Sequence, residues 1–235
     1  MKINCQKLSW DTDFFGFPVG RLTASAALVS ASDLVERMEE DMHLAYFSSP
    51  NELHDLVAAG FDIRLVDKKV TFIKKTEPSL ILADFVQPYD ASLWPEQKLI
   101  ALSIQSGIYS RFNVDPAIAT TDFERLYTLW MQNSIRKIIA REVLVAAMDG
   151  TIAGCVTLGE KNGCGDIGII AVNEDYRGRG IGKALMVAAE DWFSQQHYTC
   201  ARVVTQASNE PAMGLYHACG YQVETMEYFY HIWRK

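Results

Sequence analysis

The sequence has no apolar run approaching the roughly 20 residues that a membrane-spanning helix needs. Its first stretch, "MKINCQKLSWDTDFFG", lacks the apolar core of a secretory leader. It also lacks an excess of positive charge. Lys and Arg number 22 against 29 Asp and Glu, a formal net charge of -7, whereas a chain that neutralises nucleic-acid phosphates needs a basic face. Neither nucleic acid nor a membrane is therefore an expected partner. The five cysteines (Cys5, Cys155, Cys164, Cys200, Cys219) contain no C-x-x-C pair, and the five histidines form no H-x-x-x-H or His/Cys cluster, so no metal site is expected. An odd number of scattered cysteines reads as reduced, mostly buried thiols in a cytoplasmic protein.

What is present is globular. With 49% hydrophobic and 22% charged residues over 235 positions, the chain can form one large domain or a domain with a smaller companion. The polar, proline-containing stretch Lys74 to Ser79 reads as a joint, which divides the chain into 1–78 and 79–235. Beyond the joint, strands are expected at Leu80 to Val86, Cys164 to Val172, Ala201 to Gln206 and Tyr221 to Trp233. Helices are expected at Tyr89 to Ile104, Thr121 to Ala140, Gly180 to His197 and Pro211 to Cys219, the last stopped by Gly220. Glu142 to Met148 and Thr151 to Gly159 read as a hairpin, because Asp149-Gly150 supplies the positive φ angles of a tight turn. The order predicts a mixed α/β sheet, with the apolar Cys164 to Val172 strand at its centre.

The first 78 residues contain an echo of the end. "NELHDLVAAGFDIRLVDKKVTFI" (Asn51 to Ile73) parallels "NEPAMGLYHACGYQVETMEYFYHI" (Asn209 to Ile232): Asn-Glu, an apolar helical stretch, Gly with an aromatic, then an alternating strand. Either this is a degenerate half-copy, a partial N-terminal α/β domain, or it is the chance recurrence of a common unit.

The chemistry concentrates in "VNEDYRGRGIGKALM", a strand end, a glycine-rich basic turn and a helix start. A nucleotide-hydrolysing loop would need a hydroxyl after Lys183, and Ala184 stands there; a dinucleotide loop would need a third glycine where Lys183 is. What remains is R-x-x-G-x-G: Arg177, Gly180, Gly182. Glycines at alternate positions let backbone N–H groups converge on an anion at the positive end of a helix, and Arg177, Arg179 and Lys183 add charge. A merely solvated basic helix start is the alternative.

This stretch resembles the acetyl-CoA-binding motif of the GCN5-related N-acetyltransferases (GNAT), [QR]-x-x-G-x-[GA], and the similarity of element order runs over roughly residues 80–235. The resemblance implies a mixed, mostly antiparallel sheet with a splayed central strand and flanking helices. It implies that Ile169, Ile170, Ala171 and Val172 line the pantetheine arm of acetyl-CoA. Arg177, Gly178, Arg179, Gly180, Ile181, Gly182 and Lys183 would hold its pyrophosphate. In "QASNEPAMGLYHACGY" it implies a cofactor contact for Asn209 and a general-acid role for Tyr216, which would protonate the leaving thiolate; a half-buried helix aromatic is the other reading. A backbone N–H near Ile170 or Ala171 would meet the developing oxyanion. Asp166, Glu160 and Glu174 flank the central strand, and no general base is assigned among them.

"LSWDTDFFGFPVGRL", "SRFNVDP" and "FERLYTLWMQNSI" resemble a sugar-nucleotide branch of that family. The implied acceptor is the 4-amino group of a TDP-4-amino-4,6-dideoxy sugar, with Arg111 and Phe112 as its contacts; a solvated loop arginine and a core plug are the alternatives. Another small amine, an amino acid, a peptide N-terminus, or a non-catalytic acyl-CoA sensor are the competing readings. A homodimer is left open.

Overall fold

The computed structural model describes residues 3–25, 29–77 and 83–235. Strand β1 (Ile3–Lys7) leads into helix α1 (Ser9–Phe15), which ends where Gly16, at φ 78°, donates its N–H to the Thr12 carbonyl. Then come β2 (Val19–Ala24), α2 (Ala31–Val35) and β3 (Leu44–Ser49). Ser30 and Asp33 close the start of α2 as a reciprocal capping box. The stretch from Asn51 to Gly60 is not the helix that its likeness to the C-terminal arm predicts. Asp55 has φ 56°, and the Leu53 N–H donates to the Tyr230 hydroxyl at 2.7 Å instead of entering a helical ladder. The likeness does hold for the following strand, β4 (Phe61–Lys75).

The next elements are β5 (Val86–Pro88), α3 (Glu96–Ser106), α4 (Arg111–Val114) and α5 (Thr120–Ile135). Part of the strand expected at Leu80 to Val86 lies outside the described residues, and pairing begins only at Val86. Helix α3 starts at Glu96 rather than Tyr89. A residue before proline is pushed out of the helical region, so Trp94-Pro95 forbids the earlier start. Helix α5 stops at Ile135, five residues short of the expected end. Lys137 has φ 60°, and the apolar Ile138 and Ile139 that extended the pattern are exposed.

The remaining elements are β6 (Glu142–Met148), β7 (Thr151–Lys161), β8 (Cys164–Val172), α6 (Ile181–Gln195), β9 (Cys200–Gln206), α7 (Glu210–Ala218) and β10 (Gln222–Arg234). Asp149 (φ 53°) and Gly150 (φ 74°) make the expected tight turn. Asn162 (φ 53°) and Gly163 (φ 77°) make a second one, joining β7 to β8.

Two compact units result: Met1–Lys69 with Met226–Lys235, and Val70–Thr225. The division falls within β4 and within β10; the joint expected at residues 78–79 lies outside the described residues. In the first unit β1, β2, β3 and β10 pair in that order, over a core that includes Leu22, Leu34, Phe47, Tyr230 and Ile232. In the second, the order is β9, β8, β7, β6, β5, with β4 beside β9. Pairs β2–β3 and β8–β9 are parallel, and β1–β2, β3–β10, β5–β6, β6–β7 and β7–β8 are antiparallel.

The second unit has a core on each face of its sheet. Ile181, Leu185, Met186, Ala189 and Phe193 of α6 pack on one face, with Val156, Leu158, Ile167 and Val203. Leu99 and Leu102 of α3 and Met131 of α5 cover the other, with Val145, Cys155, Ile169 and Ala171. Among the described residues no helix is long and apolar enough to cross a membrane.

One sequence expectation is overturned here. Cys164 and Cys200 are not free thiols; they form a disulfide. Each begins a strand, and the β8–β9 register, with Gly165 opposite Ala201, sets them side by side at a Cα–Cα distance of 5.0 Å. Cys5, Cys155 and Cys219 remain as thiols.

The contact between α6 and β8 is close: a Cβ on Gly165 would lie 2.4 Å from the Phe193 ring. Gly165→Ala should therefore lower unfolding free energy by about 1–3 kcal/mol through overpacking, read as a shift in urea midpoint at constant slope. An unchanged midpoint would refute the tightness of this contact.

Candidate active site

Strand β8 is paired with β7 from Cys164 to Val172, but with β9 only at Gly165↔Ala201, Asp166↔Arg202 and Ile167↔Val203. From Gly168 to Val172 it therefore has a partner on one side and an open side on the other. The divergence begins at an irregularity. Val156 pairs with Ile170 and Leu158 with Ile167, so two residues of β8, Gly168 and Ile169, stand opposite Thr157. This is a β-bulge. The Ile169 N–H donates to Thr157 Oγ1 at 2.8 Å. Beyond the bulge the side chains alternate again: Ile169 and Ala171 enter the α3/α5 core, and Ile170 and Val172 face α6.

The glycine turn follows at once. Asn173 Oδ1 accepts from the Asp175 N–H at 3.0 Å, and residues Glu174–Tyr176 make one 3₁₀ turn. Gly178 (φ 75°) and Gly180 (φ 78°) both take the left-handed conformation, which other residues adopt only with strain. Helix α6 then starts without a side-chain cap, and its first intrahelical bond is Ala184 N–H to Gly180 O at 3.0 Å. The N–H groups of Ile181, Gly182 and Lys183 precede that bond, in the position from which helix starts bind anions. Arg177, Arg179 and Lys183 are exposed around them. Two of these cations also brace the turn. Arg177 Nε donates to the Val172 carbonyl at 3.3 Å, while Arg179 donates to Asp175 O at 3.1 Å and lies 5.0 Å from the Tyr176 ring centre.

Helix α7 reaches the same place. A Cβ on Gly182 would lie 3.2 Å from Leu215 Cδ2 and 3.8 Å from Val172 Cγ2, so this glycine lets α6, α7 and the end of β8 meet. Asn209 caps α7, its Oδ1 accepting from the Ala212 N–H at 3.2 Å. Tyr216, in the next turns of α7, is 2% exposed and shares one cluster with Ile170, Val172 and Ile181. Its ring meets Phe72 edge-on at 5.4 Å. Burial, followed by the proximity of Cys219, pushes its phenol well above the usual tyrosine range. From β4, Lys74 Nζ donates to Glu190 Oε2 at 2.6 Å and to the Cys219 carbonyl at 2.8 Å, fastening the end of α7 to α6.

The structure thus brings together Ile170, Val172, Ile181, Gly182 and Tyr216. Arg111 and Phe112 are not in that cluster. Phe112 is buried edge-on against Trp130 at 6.1 Å, and the Arg111 guanidinium lies over the Phe112 ring at 4.6 Å. Of the three acidic residues flanking β8, Glu160 accepts from Gly163 N–H at 2.9 Å in the hairpin turn, and Glu174 lies exposed in the 3₁₀ turn. Asp166 is the distinctive one: burial raises its carboxyl, and Lys161 and Arg202 oppose that rise. Thr157, Gly168, Phe72 and Lys74 did not stand out in the sequence. The signal for the first two, a hydroxyl and a glycine inside apolar strands, gains meaning only once those strands are paired.

Residues 112–221 match the Acetyltransferase (GNAT) family. A curated relative, the dTDP-fucosamine acetyltransferase of Escherichia coli, is 29% identical over 236 residues, covering 97% of this chain and 98% of that protein. Two solved structures align over most of the chain. A conserved protein of unknown function from Staphylococcus epidermidis does so with a TM-score of 0.65 at 12% identity, over 93% of this chain and 85% of that one. A GNAT-family acetyltransferase from Novosphingobium aromaticivorans gives 0.58 at 13%, over 92% and 84%. At these identities the two structures speak to the fold alone.

A raised phenol pKa has a direct consequence. The unfolded chain ionises Tyr216 near an ordinary value of about 10, and the folded chain does so only at higher pH, so its share of stability is intact below that value and is lost as pH rises past it. Ultraviolet titrations of the native protein and of Tyr216→Phe should superimpose up to pH of about 10, whereas in denaturant the parent should show one additional ionising tyrosine. A native titration that loses a group near 10 in the variant would contradict the burial of this hydroxyl.

Proposed function

We propose, from the match of residues 112–221 to the GNAT family, that the protein transfers acetyl directly from acetyl-CoA to the 4-amino group of a TDP-4-amino-4,6-dideoxy sugar. The observation that carries acetyl transfer is the release of β8 from β9 after Ile167, with the open stretch running into the α6 start. An extended pantetheine arm can pair with such an edge, and a pyrophosphate fits the N–H groups of Ile181, Gly182 and Lys183. The glycines at 178, 180 and 182 keep that approach clear of side chains, with the cations of Arg177, Arg179 and Lys183 around it.

In this reading, the amine adds to the thioester carbonyl, and negative charge develops on its oxygen and then on the departing sulfur. The oxygen needs a fixed donor. Along a strand, successive N–H groups point to opposite sides, and the Ile169 N–H is committed to Thr157 on β7. The Ile170 N–H consequently faces the open side and serves as that donor; Ala171 does not. Tyr216, in the same cluster as Ile170 and Ile181, supplies the proton to the sulfur. Asn209 sets the start of α7 and so the placement of Tyr216.

The acceptor assignment rests on the full-length likeness to the Escherichia coli enzyme. Arg111 is assigned to the diphosphate of the acceptor, and Phe112 holds it in place instead of touching the sugar. We place the reaction in the cytoplasm, where acetyl-CoA and nucleotide sugars are made.

Two outcomes are expected. Thiol release from acetyl-CoA should be rapid with TDP-4-amino-4,6-dideoxygalactose and slow with a panel of simple amines and amino acids; turnover confined to the simple amines would sink the sugar-nucleotide assignment. Tyr216→Phe should lower kcat about 100-fold while leaving CoA affinity nearly unchanged. An unaltered kcat would remove Tyr216 from the acid role.

A further inference from the structure

Thr157 is 3% exposed in the middle of β7, between the fully buried Val156 and Leu158. Its hydroxyl lies at the place where β7 and β8 fall out of step. A bulge leaves one backbone N–H without a ladder partner, and a buried, unpaired N–H is unfavourable. Here that group belongs to Ile169, and Thr157 Oγ1 accepts its hydrogen at 2.8 Å. Gly168 is the other half of the arrangement. A Cβ at that position would lie 2.8 Å from the same oxygen.

The bulge determines direction as well as pairing. Because N–H groups alternate along a strand, one residue more or fewer reverses every donor beyond it. If Gly168 alone stood opposite Thr157, Ile169 would pair with Val156, and the Ile170 N–H would turn inward to β7. With the extra residue held by the hydroxyl, Ile170 N–H points to the side that β9 has left.

We infer that Thr157 is a positioning residue for acetyl transfer, holding the Ile170 N–H toward the thioester oxygen by accepting the hydrogen bond of the bulge. This rests on the acetyl-transfer reading of the same site. Valine in place of Thr157 keeps the shape and removes the acceptor, and serine restores it.

The test uses the full chain, ¹⁵N-labelled, with CoA and acetyl-CoA as probes. In the parent and in Thr157→Ser, the Ile170 amide proton should shift with acetyl-CoA and not with CoA, which has no carbonyl at that point. In Thr157→Val that difference should vanish, and kcat with TDP-4-amino-4,6-dideoxygalactose should fall about 10–100-fold while the Kd for CoA changes less than about threefold. A purely structural threonine would lower the melting temperature and leave both the Ile170 response and kcat in place, and that result overturns the inference. Equal losses in the serine and valine variants overturn it too. If Thr157→Val does not fold, Gly168→Ala, whose Cβ presses on the hydroxyl, is read against the same outcomes. A parent protein whose Ile170 amide responds alike to CoA and acetyl-CoA refutes acetyl-CoA as the donor, and the role of Thr157 falls with it.

Discussion

A hydrogen bond of 2.8 Å from the Ile169 N–H to the Thr157 hydroxyl closes the one break in the β7–β8 register, and the opening of β8 starts at that break. Before the break, β8 is an interior strand with β7 and β9 on its two sides. After it, β8 keeps β7 and loses β9. An edge inside a sheet is ordinarily a hazard, since unpaired backbone groups invite other strands. Here the open stretch is five residues long, Gly168 to Val172, and ends at the glycine turn. It is also bounded at its closed end: Cys164 and Cys200 join the two strands just before their short parallel pairing begins. A covalent link on one side and a bulge on the other confine the opening to a single place.

The helices complete what the strand opens. The α6 start presents its N–H groups where β8 ends, and it can do so because Gly178 and Gly180 take a conformation that side chains resist. Gly182 has a different reason. Its φ is unexceptional, but a Cβ there would press on Leu215 at 3.2 Å. Three glycines within five residues thus answer to two constraints, a reversed backbone and a crowded helix junction. That junction is what places Tyr216 beside the open strand.

Much of this was legible in the sequence because it is local. The β8 limits, the Asp149-Gly150 hairpin, the glycine turn and the Asn209-to-Gly220 helix each declare themselves within a dozen residues. The misreadings have two kinds of cause. Some rules were local but outweighed: Trp94-Pro95 bars a helix from Tyr89, yet the apolar pattern ran through it, and Ile138 and Ile139 prolonged a helix that Lys137 had ended. Others depend on pairing. The disulfide links residues 36 apart in sequence, and it becomes readable only when β8 and β9 are known to lie side by side. The bulge requires counting residues on two strands at once; neither "CVTLG" nor "DIGII" contains it alone.

The same distinction separates the two ends of the proposed reaction. The cradle for the donor is written in one contiguous segment, from β8 through the first turn of α6. The acid is not. Tyr216 is buried, and part of that burial comes from Phe72, on a strand more than a hundred residues earlier. Lys74, two residues further along β4, ties the α7 end to Glu190. The glycine motif is thus local, while the setting of Tyr216 depends on β4 being in place. Of the segment ahead of residue 78, Phe72 and Lys74 pack on α7 and its end.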